Sequence, residues 1–213
     1  MVLTLPTLSA LLSKEEGLAG PVATAGLSDE ELMLLFIQGD TTAFNTLFQR
    51  YARAMRAYLL RLSGQASAAD DLVQLTFLSV VRARGRFRAD ARFKPWLYAI
   101  GTNVARNWIR RQRRQEALTE SLPRVAELED SPTHHLGMKR RVQEALAKLP
   151  EGQRVPIVMH RFQGLSFAEI AMAMGLTEGA VKVRAHRGYV RLRELLTMSR
   201  DEDELRSSWL EDR

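Results

Sequence analysis

The chain has 213 residues, a formal net charge of +6 and no cysteine. This length accommodates one domain or two small ones, and the lack of cysteine excludes disulfide scaffolds and cysteine-ligated zinc. No apolar run approaches the ~20 residues needed to cross a bilayer, so we expect a cytoplasmic protein without direct membrane insertion. Residues 1–27 contain Pro6 and lack a basic start, which argues against a secretory signal and predicts a disordered extension.

Charge is distributed in blocks along the chain. Residues 28–114 carry 15 Lys and Arg against 7 Asp and Glu, and residues 138–198 carry 11 against 5. Between them, residues 115–137 carry 1 against 5, and the tail 199–213 carries 3 against 6. Two basic blocks separated by an acidic segment make a nucleic acid the first partner to consider.

Helical signals run nearly continuously through residues 28–114. Ser28 and Glu31 form a capping box for the first helix, and Asp40 can cap the second, which Gly64 ends. Pro95 falls in the first turn of the fourth helix, where proline is tolerated. The predicted helices span about residues 28–39, 40–62, 66–84 and 96–114. Apolar stripe residues of the second are Phe44, Leu47, Phe48, Tyr51, Met55, Tyr58 and Leu59, and core candidates of the third include Leu72, Leu75, Thr76, Leu78 and Val81.

The helical pattern lapses in residues 115–137, which contain two prolines and many acids and are predicted to form a linker. Helices resume over about 138–148 and 151–162. The tail 199–213 is highly charged, and we expect it to be loosely ordered. No strand pattern of useful length is present, so the sequence predicts an all-α fold in which a flexible acidic linker joins two small helical domains.

Residues 166–193 have the pattern of a helix-turn-helix. Ser166 and Glu169 form a second capping box, Gly175 supplies the turn, and Thr177 can cap the next helix. No acid occurs between Lys182 and Arg193, whereas an ordinary solvated surface mixes charges of both signs. A helix with one apolar side and one cationic side suits the DNA major groove. The apolar side carries Val181, Ala185, Gly188 and Leu192.

Residues 82–114 combine cations with aromatic rings, since they hold 11 Arg and Lys and a single acid, Asp90. Proteins that bind single strands use cations to follow phosphates and rings to stack on bases. The loop 86–93 could also enclose an extruded base. The alternative is that the rings fill a helical core. These rings are Phe87, Phe93, Trp96, Tyr98 and Trp108.

Two acids and an amide, Asp70, Asp71 and Gln74, occupy adjoining positions on the third helix. Carboxylates on an otherwise cationic domain would repel DNA, so a protein partner with basic residues explains them better. Asp70 alone could also interact with the helix dipole.

Taken together, these segments resemble the bacterial extracytoplasmic-function (ECF) sigma factors over about residues 28–196. Residues 70–103 are similar to region 2 of that family and residues 145–195 to region 4. The resemblance implies region 2 over 28–114, the linker over 115–137, region 4 over 138–198 and an acidic tail over 199–213. It also implies a protein without cofactor, metal or catalytic residues, which binds core RNA polymerase, directs it to the −35 and −10 promoter elements and promotes DNA strand opening.

The resemblance assigns three contact surfaces and a regulator. The polymerase surface would dock on the clamp helices of the largest subunit, with the flap as a further contact, and an anti-sigma factor is the expected inhibitor. The polymerase-binding residues are Asp70, Asp71 and Gln74. The −10 strand would be bound by Phe87, Arg88, Ala89, Asp90, Arg92, Phe93, Asn103, Arg106 and Arg110. The −35 element would be bound by Lys182, Val183, Arg184, His186, Arg187 and Arg191.

The chain departs from the family pattern at a few positions. Leu75 replaces a commonly acidic residue, and Val183 replaces a frequent serine, exchanging a hydrogen bond for apolar contact with a thymine methyl group. Ala99 and Gly101 lie in a helix that is usually more basic and less flexible. These departures affect which promoter sequence would be recognised, but they do not affect the class of protein that the chain resembles.

Two other classes remain open. A stand-alone, dimeric helix-turn-helix regulator would explain residues 166–193 but would leave Asp70, Asp71 and the aromatic–basic loop without a role. An enzyme acting on nucleic acid is poorly supported, because His134 and His135 lack spaced carboxylates and no phosphate-binding glycine loop is present.

Overall fold

The computed structural model describes residues 26–118 and 134–211, with side chains described over 26–115 and 137–197. Within these ranges every regular element is helical, which confirms the expected all-α fold. A 3-10 turn, Arg84–Arg86, lies between the third and fourth helices. The helices are α1 (Asp29–Ile37), α2 (Thr41–Ser63), α3 (Ala66–Ala83), α4 (Phe93–Leu118), α5 (His134–Ala147), α6 (Glu151–Gln163), α7 (Phe167–Met174) and α8 (Glu178–Glu211).

Side chains fix the starts of α1 and α2 where the sequence predicts them. Both hydrogen bonds of a capping box form between Ser28 and Glu31 at α1. The carboxylate of Asp40 accepts the backbone N–H groups of Thr42 and Ala43 at α2. These bonds satisfy amide donors that have no partner within the helix.

The first helical unit, α1–α4, is built around the apolar stripe of α2. Tyr58 and Met55 are fully buried between neighbouring helices. A Cβ atom on Gly101 of α4 would lie 2.8 Å from the sulfur of Met55, closer than real Cβ contacts. The glycine that departs from the family pattern therefore lets α4 approach α2 closely.

The second helical unit, α5–α8, contains the helix-turn-helix. Pro156 is buried within α6, which nevertheless continues to Gln163. Gly175 ends α7 with a φ of +64°, a left-handed conformation that favours glycine. Gly188 of α8 faces α6 so closely that an added Cβ would lie 2.6 Å from Cδ1 of Ile157.

The two units pack directly against each other. The Tyr98 hydroxyl of α4 donates a 2.6 Å hydrogen bond to the side-chain oxygen of Gln163 in α6, and both residues are buried. Apolar side chains of both units belong to one continuous buried cluster. This bond places α4 of the first unit beside α6 of the second, and α4 also packs against α7.

Several expected helix boundaries were wrong. Helix α4 continues past Arg114 to Leu118, and α5 begins at His134 rather than at Met138. Residues 119–133, the rest of the expected linker, lie outside the described residues, as does most of the expected extension 1–27. Helix α8 runs to Glu211, so much of the tail expected to be loosely ordered is helical.

Candidate nucleic-acid interface

Helix α8 presents its cations to solvent because its other side is buried. Val181 and Ala185 are 0% and 1% exposed. Thr177 caps the helix by accepting the backbone N–H of Ala180. All six residues expected to contact the −35 element are exposed: Lys182, Val183, Arg184, His186, Arg187 and Arg191.

Two cations of this surface form short-range ion pairs. Lys182 lies 2.7 Å from Glu178 and Arg191 lies 3.0 Å from Glu194. Exposed pairs of this kind are weak, so a phosphate can compete for either cation. Val183, next to Lys182 in the sequence, is half exposed and offers methyl groups rather than a hydrogen bond.

The loop between α3 and α4 contains an exposed arginine–carboxylate pair. Two guanidinium nitrogens of Arg88 bond the two carboxylate oxygens of Asp90 at 2.9 and 3.1 Å. This pair lowers the pKa of Asp90, first through the hydrogen bond and then through the positive charge. Arg88, Ala89 and Asp90 are all exposed, as is Arg92. The loop therefore presents a turn whose charges are partly paired.

Two rings expected to meet DNA are buried instead. Phe87 is 7% exposed and Phe93 is fully buried. Phe87 packs edge-on against Trp96, with 5.1 Å between ring centroids, and Phe93 packs against Tyr51 at 5.5 Å. This burial favours the alternative that the two rings fill a helical core over the expectation that they contact bases.

Sequence reasoning missed Glu30, which holds this loop from α1. A carboxylate oxygen of Glu30 accepts the backbone N–H of Phe93 at 3.0 Å and lies 3.6 Å from Nε of Arg92. The contact joins residues 63 positions apart, so no local pattern could have revealed it.

The exposed side of α4 carries the remaining residues assigned to the −10 strand. Asn103, Arg106 and Arg110 are all exposed and recur every three or four residues, which places them along one side of the helix. Arg106 donates to the side-chain oxygen of Asn103 at 3.3 Å. It also bonds Glu151 of α6 at 2.6 Å, a contact across the two units.

The expected polymerase-binding residues lie on the outer side of α3. Asp70 and Asp71 are exposed and Gln74 is half-buried. Asp70 pairs with Arg56 of α2 at 2.8 Å. Leu75 was expected in the core, but 45% of it is exposed, because it lies one turn after Asp71 on the same outward side.

Other kinds of site are not seen in the part of the chain that the structure describes. No group of three or more histidine and acidic side chains could hold a metal ion there. Among the described residues, no helix is long and apolar enough to span a membrane.

Comparisons with known proteins match both units. The family model for sigma-70 region 2 matches residues 47–115, and that for sigma-70 region 4 matches residues 139–192. The RNA polymerase sigma factor CarQ of Myxococcus xanthus is 39% identical, covering 76% of this chain and 93% of that protein. The ECF RNA polymerase sigma factor SigM of Mycobacterium tuberculosis is 38% identical, covering 79% and 85%.

Two solved structures have the same architecture. CnrH, in complex with the cytosolic domain of CnrY, is 28% identical with a TM-score of 0.64, covering 80% of this chain and 97% of that one. The sigma factor RpoE of Bartonella quintana, in complex with the anti-sigma factor NepR, is 26% identical with a TM-score of 0.63, covering 72% and 96%.

The two matched regions, in this order and on this fold, define a bacterial sigma factor of the sigma-70 type. The chain belongs to its ECF subfamily, as its similarity to CarQ and SigM shows. It is therefore a factor that directs RNA polymerase to promoters. A stand-alone regulator would leave the region 2 match without explanation.

Proposed function

We propose that α8 reads the −35 element while the Arg88–Arg92 loop and α4 hold the opened −10 strand. The observation that carries the proposal is that α8 has two different sides. Its six residues assigned to the −35 element are exposed, and its opposite side is buried. Such a helix can enter the major groove without disturbing its own domain. Phosphate contacts from both surfaces make binding steeply dependent on salt.

The residues assigned to the −10 surface are proposed to have two different roles: some contact DNA, and others support the loop. Arg88, Ala89 and Arg92 are exposed and can reach DNA, as can Asn103, Arg106 and Arg110 on α4. Phe87 and Phe93 are buried and support the loop through their packing. Strand separation needs a surface that binds unpaired bases, so this division predicts that exposed polar groups, and not these two rings, meet the extruded base.

Helix α3 is proposed to dock on the clamp helices of the polymerase. Its outward side combines the carboxylate of Asp71 with the apolar side chain of Leu75. Such a mixture favours a protein partner that offers both a cation and an apolar contact.

An anti-sigma factor is proposed as the regulator, acting in the cytoplasm where the polymerase works. RpoE of Bartonella quintana was solved with an anti-sigma factor, and CnrH with the cytosolic domain of CnrY. The chain shares their fold at 26–28% identity, which supports an inhibitor of similar kind. The chain itself is proposed to supply promoter recognition and no bond-making chemistry.

Asn103→Ala in the assembled holoenzyme tests the −10 assignment. A fluorescent base analogue in the −10 element should show reduced strand opening, with binding to closed duplex largely retained. Asn45→Ala provides a matched control, since Asn45 is exposed on α2 and is not among the residues assigned to the −10 strand. Equal opening by both variants would contradict the role given to Asn103.

A further inference from the structure

Two exposed valines lie seven residues apart on α8. Val183 is 50% exposed and Val190 is 45% exposed. Seven residues make about two turns of an α-helix, so both side chains lie on the same side of α8, roughly 10 Å apart along its axis. Val190 is outside the set assigned to the −35 element, although solvent reaches it almost as freely as it reaches Val183.

The packing of α8 determines which side of the helix carries these valines. Val181 is fully buried, and Gly188 lies so close to α6 that an added Cβ would be 3.1 Å from the backbone oxygen of Gln153. Each exposed valine follows one of these two residues by two positions, which corresponds to a rotation of about 200° around the helix. The buried side of α8 therefore directs Val183 and Val190 away from the domain.

Two polar residues lie between the valines on the same side of α8. His186 and Arg187 are exposed, and they follow Val183 by three and four positions. Recognition helices of homeodomains read the major groove through four residues with this same spacing. A helix that reads the −35 element can therefore bring Val190 to the base edges together with the three residues already assigned.

The chemistry of valine restricts what these two positions can recognise. A valine side chain neither donates nor accepts a hydrogen bond, so it cannot pair with the polar edge of a base. The apolar group that bases present in the major groove is the C5 methyl group of thymine. Because base pairs are stacked about 3.4 Å apart, side chains separated by roughly 10 Å reach pairs that are about three steps apart.

We propose that Val183 and Val190 select two thymine methyl groups, about three base pairs apart in the −35 element, and that Arg187 contacts the DNA between them. The selection rests on the proposed role of α8 in −35 recognition. It adds Val190 to the recognition surface and names the base that both valines prefer.

Removal of single methyl groups tests this selection. Holoenzyme first selects promoters from templates randomised over the −35 element, and A·T pairs should be enriched at two positions about three base pairs apart. Each thymine of a selected element is then replaced in turn by deoxyuridine, which lacks only the C5 methyl group. Holoenzyme binding should weaken about three-fold at those two positions, as expected for the loss of one apolar contact, and should stay unchanged at other thymines.

Serine variants connect each methyl group to one side chain. With Val183→Ser, the holoenzyme should bind thymine and deoxyuridine templates equally at one of the two positions, and with Val190→Ser it should do so at the other. Both valines are exposed, so thermal unfolding should show that neither change disturbs the fold. Met138→Ser removes an exposed apolar side chain from α5 and should retain both methyl effects.

Two results would overturn the proposal. The first is that deoxyuridine has no effect at any position of the selected element. The second is that Val190→Ser weakens binding to thymine and deoxyuridine templates by the same factor, because Val190 would then contact something other than a methyl group.

Failure of the proposed role of α8 would give a different result. If Arg187→Ala leaves the ranking of −35 sequences unchanged, α8 does not read the element and the selection by valines is also wrong. If this variant changes the ranking while deoxyuridine has no effect, α8 reads the element and only the selection by valines is wrong.

Discussion

The carboxylate of Glu30 accepts the backbone N–H of Phe93 at 3.0 Å, so the first helix caps the fourth. The same carboxylate lies 3.6 Å from Arg92 at the end of the −10 loop. Helix α1 precedes the residues matched by the region 2 family model, yet it supports the loop that region 2 would present to DNA.

Glu30→Ala should lower the free energy of unfolding by about 1 kcal/mol, as expected for a lost helix cap. It should also reduce strand opening by the holoenzyme, because the loop loses its support. Glu30→Gln keeps an acceptor and should restore most of both losses. Thermal unfolding and a fluorescent −10 probe measure the two effects. Full opening by the alanine variant would show that the loop does not need this contact.

Arg187→Ala should cost about 1–3 kcal/mol of promoter binding and relax the preference for the −35 sequence. The reason is that Arg187 is exposed on the side of α8 proposed to enter the major groove. Arg193→Ala removes the same charge from an exposed position outside the assigned set and serves as control. Binding to promoters with altered −35 bases provides the measurement. An unchanged ranking of those promoters would remove Arg187 from the recognition surface.

Asp71→Arg should weaken assembly with core polymerase by at least ten-fold, since it replaces an exposed carboxylate by a cation. Glu144→Arg on the exposed side of α5 makes the same charge change away from α3. Titration of labelled chain with core enzyme measures both. Equal affinity of the two variants would contradict docking through α3.

Leu75→Ala should weaken binding to core polymerase with little loss of stability. The reason is that nearly half of this side chain is exposed, so it contributes little to the hydrophobic core. Leu72→Ala, at a fully buried position of the same helix, should instead cost about 2–5 kcal/mol of stability. Comparing unfolding with core titration separates the two effects. If the Leu75→Ala variant binds core polymerase with normal affinity, docking does not explain why Leu75 is exposed.

Gly188→Ala should destabilise the fold by about 1–3 kcal/mol, because the new methyl group would meet Ile157 at 2.6 Å and the backbone oxygen of Gln153 at 3.1 Å. Gly179→Ala in the first turn of the same helix meets nothing within 4 Å and should stabilise slightly. Unfolding by a chemical denaturant compares the stabilities of the two variants. Equal stability of the two variants would mean that α8 does not cross α6 this closely.

Local signals in the sequence were sufficient for the capped starts of α1 and α7. Ser28 with Glu31, and Ser166 with Glu169, sit three residues apart, so each capping box is visible without knowledge of the fold. The amphipathic pattern of α8 likewise identified its buried side, because Val181 and Ala185 need only helical periodicity to be recognised.

Contacts between distant segments could not be read in the same way. The burial of Phe93 depends on Tyr51 of α2, and the bond from Arg106 to Glu151 depends on how the two units dock. The exposure of Leu75 was missed for a related reason. An apolar residue in a helical sequence does not by itself show which side of the helix will be covered by the hydrophobic core.

Promoter-specific transcription in vitro tests the central claim most directly. Core polymerase, supplied with this chain and a template carrying its promoter, should yield RNA of one defined length, and no such product should appear when either protein is omitted. Defined transcripts from core enzyme alone, or none when both proteins are present at low salt, would contradict the account.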